Sequence, residues 1–516
     1  MSAKRWSLLG SLFLILSMLL AACGETATST PPPVPTDTTA PVAAATDTPA
    51  PVMVPTDTAM PVAAPTDTAM PAAAPTDTPM PAGSPTATDT PGPTPTIGAI
   101  AGLKDPRDAA LAAAGGQKIG GTVSVLGTWG GSEQDSFMAM VAPFEAATGV
   151  TVEYEGTRDL NAVLTTRVQG GNPPDLAGLP GPGQMAQFAK DGKLIDLSNV
   201  LDMPTMKSDY AQSWIDLGSY NGTPVGIFIK TSLKGLIWYD PKVYKGPNPP
   251  KTWDELMTWS KQTAASGTTP WCIGLESGAA SGWAGTDWIE DFMLRQAGPD
   301  KYAQWYQGKL GWTSPEVKTA FQSFGAIATD PTMVNGGPTS ELTLNFGNGG
   351  DQLFKTPPGC YLHHQASFIT DFFTTNTKGL KPVDDFNFFG FPDINPAYSG
   401  SVEAAGDLFG MFKDTPQARA LMKYLVTPEA QAIWVLRGGA LSPNKRVPLS
   451  AYPDPLSQGA GKILSTAKIV VFDASDLMPD AMNTAFWKAI LDYVQGPDQL
   501  DSILTNLDSV QKDAYK

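Results

Sequence analysis

Histidine is nearly missing from this chain: 516 residues contain only two, adjacent at His363 and His364. A zinc site built on histidines, or a Ser-His-Asp triad, would have to draw on that one dipeptide. No GxxxxGKS/T, HExxH or GxSxG signature accompanies it, so nucleotide hydrolysis, zinc proteolysis and serine hydrolysis lose their usual sequence support. Basic clusters are absent too. A formal net charge of −16 without such a cluster argues against nucleic acid and against phosphate or sulfate ligands. Cysteine is limited to Cys23, Cys272 and Cys360, and no apolar run of membrane-spanning length follows the first 23 residues.

What is present begins with a leader. Lys4 and Arg5 precede an apolar run from Trp6 to Leu20, which ends in Leu20-Ala21-Ala22-Cys23. The run is too short to span a bilayer and closes on small residues, as a secretory signal does. Cysteine directly after Leu-Ala-Ala resembles a bacterial lipobox, which implies lipidation of Cys23 and an extracytoplasmic protein anchored to the outer face of the cell membrane. Residues 24–117 are expected to be a disordered tether. Between Pro31 and Pro95 lie 18 of the 48 prolines, in decapeptide repeats such as PVAAPTDTAM that lack the aromatic and branched residues of a core. Cys272 and Cys360 remain as a pair in an oxidising compartment. A disulfide between them is expected, with two buried free thiols as the alternative.

From Gly120 onward, strand and helix signals alternate. Thr122 to Leu126 alternates with period two, Phe137, Val141 and Phe144 share one helical face that Gly149 ends, and Val150 to Tyr154 forms the next strand. A helix near Leu160 to Gln169, a buried strand at Asp175 to Leu179 and a helix from Gly183 to Lys190 continue the rhythm. Such alternation predicts a mostly parallel sheet with ligands beyond the strand carboxyl ends. Trp129 and Glu133, just past the first strand, are therefore cleft candidates, with Asp175 less so; Glu133 in a first helical turn is equally explained by the helix dipole. Tyr220 to Asp240 contains an Asn-Gly turn and two apolar runs separated by Lys230 to Gly235, and reads as the passage between lobes. Thr252 and Glu255 predict a capping box, with Trp253 packing behind it.

The stretch PWCIGLESGAASGWAGTDWIED, Pro270 to Asp291, combines Trp271, Trp283 and Trp288 with Glu276, Asp287, Glu290 and Asp291 around a small-residue turn. Flat apolar faces beside fixed acceptors suit a sugar, which offers a C–H face and hydroxyls. Tryptophan is also highly buried on average, so the competing reading places all three in the core.

The motifs FEAATGVTVEYEG, GGNPPDL, YNGTPVGIFIK, PKTWDEL, TPWCIGLESGAASGW, PPGCYLHHQASF, TPEAQAIWVLRGGALSPN and MNTAFW cover nearly all of the body. Together they resemble the extracellular solute-binding proteins of carbohydrate ABC importers, the alpha-glucoside-binding type most of all and maltose-binding proteins more distantly. That resemblance implies an α/β, two-lobed periplasmic-binding-protein-like fold of the class II type, with the cleft between lobes joined by hinge strands. Residues 118–230 would form the first lobe with a return at 401–448, and 231–400 the second lobe, completed by C-terminal helices at 449–516. It further implies ligand contacts from Trp129, Glu133, Glu276, Trp283, Asp287, Gln365, Asp407, Trp434, Arg437 and Trp487, with Arg437 equally able to pair with a structural acid. The segment Leu179-Pro180-Gly181 lacks the tryptophan that maltose-type relatives carry there. The expected protein is a monomeric receptor for a small neutral sugar, partnered by the permease subunits of an ABC transporter in the membrane. It would have no catalytic residues, cofactor, metal or nucleic-acid partner. A glycoside hydrolase, needing only two facing carboxylates, and a polysaccharide-binding adhesin are the alternatives.

Overall fold

The computed structural model describes Ile100, residues 102–179 and residues 181–516; the leader with Cys23, the repeats from Pro31 to Pro95 and Pro180 lie outside the described residues. Pro106–Ala113, within the expected tether 24–117, is instead a helix capped by Asp105 that buries Ala110 against the first sheet's core. β1 (Thr122–Gly127) is flanked by parallel β2 (Thr151–Gly156) and parallel β3 (Leu176–Leu179). Between β1 and β2, the helix Gly131–Thr148 buries Phe137, Val141 and Phe144 and stops at Gly149, whose φ of 71° is the left-handed cap glycine adopts without strain. Asn221 and Gly222, both at positive φ, turn β4 (Ser219–Tyr220) into β5 (Thr223–Pro224), the two-residue hairpin that this dipeptide favours.

β6 (Gly226–Leu233) is buried at every position, and Gly235 turns the chain into β7 (Leu236–Tyr239). Lys230 therefore lies inside a strand rather than between two apolar runs as expected, because carboxylates from elsewhere in the chain offset its burial. At Gly235, φ is +66° and an added Cβ would sit 2.7 Å from Asp291 Oδ1, so only glycine fits without displacing that acid. β8 (Trp271–Cys272), β9 (Leu362–His364) and β10 (Asn387–Gly390) complete a second sheet in the order β10-β7-β9-β8.

β11 (Ser401–Met411) runs antiparallel to β6 along one edge. Its other edge pairs first in parallel with β12 (Ile469–Phe472), then antiparallel with β3. The first sheet is thus mixed rather than mostly parallel: local alternation specifies β1 to β3, whereas β6 and β11 enter from distant sequence. Buried side chains gather on the two sheets, Val123, Phe137 and Trp434 with the first, Ile237, Trp288 and Phe324 with the second. The architecture is α/β and two-lobed, with β6 and β11 as crossing strands.

Two local expectations resolve differently. At the helix Trp253–Ala265, Thr252 Oγ1 accepts from the Glu255 amide at 3.2 Å, but Glu255 Oε2 accepts from the Lys251 amide instead of closing the capping box on Thr252. Trp253 itself stacks on Phe391 with centroids 4.7 Å apart, as a packing residue. Cys272 and Cys360 form the disulfide, with Cα atoms 5.6 Å apart across 88 residues of sequence.

Candidate functional site

A cavity of about 460 Å³ opens past the carboxyl end of β1, beside the β6–β11 crossing. Trp129 enters it from the turn after β1. The Tyr154 hydroxyl clamps the Trp129 amide and carbonyl, both at 3.0 Å, and Trp434 meets its ring edge-on at 4.7 Å. Trp283 opens the helix Trp283–Gln296 opposite Trp487 of the helix Asp480–Gln495. Gly282 makes that approach possible, since at φ +104° its missing Cβ would lie 2.2 Å from the Trp487 carbonyl oxygen. Two buried donors on this wall, Trp487 Nε1 and Ser277 Oγ, have no hydrogen-bond partner among the described residues. A buried polar group left unpaired costs about 1–3 kcal/mol, so both favour a ligand that supplies acceptors.

Charge on the wall is arranged in pairs. Lys230 Nζ lies 2.7 Å from Glu133 and 3.4 Å from Asp407, and Arg158 reaches the other Glu133 oxygen at 3.1 Å. Trp129 Nε1 donates to Asp407 at 3.2 Å. Lys234 Nζ sits 2.7 Å from Asp287 and 2.8 Å from Asp473. A register shift between Asp407 and Leu408 in the β6–β11 ladder accompanies the pairing of Asp407 with Lys230, a bulge at the site as such irregularities often are. Burial penalises the Glu133 carboxylate, yet the attraction of Lys230 and Arg158 outweighs it and holds Glu133 below its ordinary range. Asp407 moves the other way, raised by burial and by the Glu133 charge despite Lys230. Three wall cations thus all have carboxylate partners. The cleft presents hydrogen-bonding groups and indole faces, with no cation free to hold an anion among the described residues.

Of the residues expected to contact ligand, Trp129, Glu133, Trp283, Asp287, Asp407 and Trp487 line this cavity. Glu276, Gln365, Trp434 and Arg437 do not. Glu276 is spent on its own turn, accepting from the Gly278 amide at 2.7 Å and Asn345 Nδ2 at 2.8 Å, which positions the neighbouring Ser277. Gln365 is buried behind the wall, its carbonyl accepting from Trp238 Nε1 and its side chain from the Ala366 amide. Trp434 backs Trp129, and Arg437 donates to Ser136 Oγ at 3.0 Å with no ion pair among the described residues. Trp271 and Trp288 are core, not cleft floor, and Asp175 is bound to Ser124.

Sequence reasoning missed Arg158, Lys230, Lys234, Asp473, Phe346 and Phe368, all on the wall. Lys230 and Lys234 carried a signal: a lone cation inside an apolar strand requires a buried carboxylate partner. Contacts also bridge the cavity mouth. Asn161 Nδ2 donates to Asp480, the Ala279 amide donates to Asp159 at 3.2 Å, and the Arg158 guanidinium lies 4.9 Å from the centre of the Phe346 ring.

With this geometry, comparison with known proteins is informative. The family described as bacterial extracellular solute-binding protein matches residues 130–432. The osmoprotective compounds-binding protein GgtB of a Synechocystis strain is 40% identical over 379 residues, 73% of this chain and 89% of the relative. The alpha-glucosides-binding periplasmic protein AglE of Rhizobium meliloti is 36% identical over 394 residues, 74% of this chain and 85% of the relative. Among solved structures, a chitin oligosaccharide binding protein superposes with a TM-score of 0.67 at 20% identity, covering 76% of this chain and 98% of that one. The RafE–raffinose complex gives 0.61 at 16% identity, covering 77% and 100%.

Proposed function

Because the chain belongs to the bacterial extracellular solute-binding protein family, we propose that it captures a neutral sugar, an alpha-glucoside or short oligosaccharide, and delivers it to an ABC importer. The observation that carries the reading is the wall itself: indoles from three distant segments, Trp129, Trp283 and Trp487, line one cavity with cations that carboxylates already satisfy. Indole faces stack on sugar C–H surfaces, and the remaining carboxylate lone pairs accept hydroxyl hydrogens. Hydrolysis is not part of this reading, because Glu133, Asp407 and Asp287 are engaged with Lys230 and Lys234. The receptor acts as a monomer, without nucleic acid, tethered through lipidated Cys23 and the repeat segment. Residues 118–230 and 401–448 form one lobe, and 231–400 with 449–516 the other; these close about β6 and β11.

A panel of maltose, trehalose, sucrose and longer alpha-glucans in a thermal-shift assay identifies the ligand, since a compound that binds only the folded state raises the melting temperature. With that sugar, Trp487→Ala is expected to weaken binding by about 1–3 kcal/mol, roughly five- to 150-fold by calorimetry, while Glu276→Ala changes it far less. Unaltered affinity in Trp487→Ala would displace the ligand from this cavity without touching the family.

Closure gives a smaller effect. Asn161→Ala removes a contact made across the cavity mouth, and is expected to weaken the same sugar by about 0.5–1.5 kcal/mol, a two- to tenfold change. The melting temperature without sugar should stay near that of the parent, because Asn161 is otherwise part of a surface helix.

A further inference from the structure

Beneath the Lys234 side of the cleft lies an acidic group of which only Asp473 reaches the cavity wall. We infer that Glu290, Glu403 and Asp473 bind one hard divalent cation, calcium in preference to magnesium. Carboxylate oxygens of the three residues lie within 4.8 Å of one another, and all three are buried. Glu403 supplies the second observation: it is 0% exposed, points into this group, and neither of its oxygens has a hydrogen-bond partner among the described residues. Glu290 is met by the Ala474 and Ser475 amides, and Asp473 by Lys234 and Ser475, but nothing reaches Glu403.

The charge count points the same way. Among the described residues Lys234 is the one cation in contact with this group, and it already contacts Asp287, while Arg295 is committed to Asp291. Several carboxylates sharing a single ammonium in a dry interior are relieved either by taking up protons or by a further positive charge, and a hard cation competes with protons for the Glu290 and Glu403 oxygens. Donors that are all oxygen select a hard ion. Calcium binds oxygen at about 2.3–2.6 Å in irregular geometry, so oxygens on one ion lie up to about 5 Å apart, whereas magnesium demands a tighter octahedron. The frame is fixed in advance: the Lys234 amide donates to the Glu403 carbonyl and the Asp473 amide to the Ala404 carbonyl, each at 2.9 Å. The ligands come from a helix, β11 and the turn after β12, so one ion would bind three separate segments together.

The ion shares Asp473 with the cavity wall, but its test uses no sugar, so the two assignments fail separately. Purified full-length protein, stripped with EDTA, is titrated with calcium chloride and magnesium chloride by calorimetry and thermal shift. One equivalent of calcium is expected to bind, raising the melting temperature by about 1–3 °C at tenfold the Kd, with magnesium weaker. Glu403→Gln, folded by circular dichroism, should lose both effects; should that variant not fold, Glu290→Gln carries the same comparison. Folded parent that takes up no calcium, or a folded variant that still binds one equivalent, overturns the proposal.

Discussion

Lys230→Met is expected to destabilise the protein by about 3–5 kcal/mol at pH 7, measured as the shift in a chemical denaturation curve. The Lys230 ammonium is buried in β6, 2.7 Å from Glu133 and 3.4 Å from Asp407, and 4.9 Å from the centre of the Trp434 ring. Methionine replaces the stem but leaves two carboxylates facing each other in a dry wall, with Arg158 reaching only one of them. Uncompensated burial, not the lost attraction alone, sets the size of the effect. Sugar affinity should fall with it, because Trp129 takes its orientation partly from the Asp407 carboxylate.

The pH dependence follows from Glu133. Its folded pKa is held below the ordinary value of 4.5, so it contributes stability above that value which is lost as pH falls through the folded pKa. Without Lys230, burial is opposed by Arg158 alone and the folded pKa rises, which removes that contribution at neutral pH. The gap between parent and variant should therefore be largest near pH 7 and shrink toward pH 4, where the variant's carboxylates take up protons. A difference below about 1 kcal/mol at pH 7 would mean the two acids are already neutral in the parent.

These couplings also mark where sequence reading stops. The elements β1 to β3 and their helices were legible because each is encoded by a local period and a local stop such as Gly149. Trp129 and Glu133 were placed by one topological rule, that ligands gather past strand ends. Pairing of Lys230 with Asp407 depends instead on the register of two strands some 170 residues apart, which neither strand encodes by itself. Composition failed within the Pro270 to Asp291 segment for a related reason. Three tryptophans share one neighbourhood, but only Trp283 occupies the first position of a helix whose preceding glycine lets it abut Trp487. Trp288, little more than a turn further, faces Phe292, Phe324 and Trp271 in the core. Glu276 reads as an acceptor for ligand and is an acceptor, but for the Gly278 amide and Asn345 Nδ2.

Replacing Cys272 and Cys360 together by alanine is expected to cost about 4–5 kcal/mol, read from the same denaturation experiment. In the chain-entropy account, a bond closing 88 residues restricts the unfolded ensemble by about that amount, and losses of 2–5 kcal/mol are usual. Both sulfurs are buried, so millimolar reductant should leave the folded parent intact and act only on molecules that have unfolded. A loss below about 1 kcal/mol would show that the unfolded chain already holds β8 near β9. Ligand affinity is a separate question, and it should change less than twofold. Trp283 lies 11 residues beyond Cys272, where the Gly282 contact with Trp487 and the Asp287 bond to Lys234 hold its helix. Stability would then fall while recognition persists, because the disulfide restrains the unfolded chain and the ionic pairs shape the cleft. Affinity lost in step with stability would instead place the disulfide among the supports of the Trp283 wall.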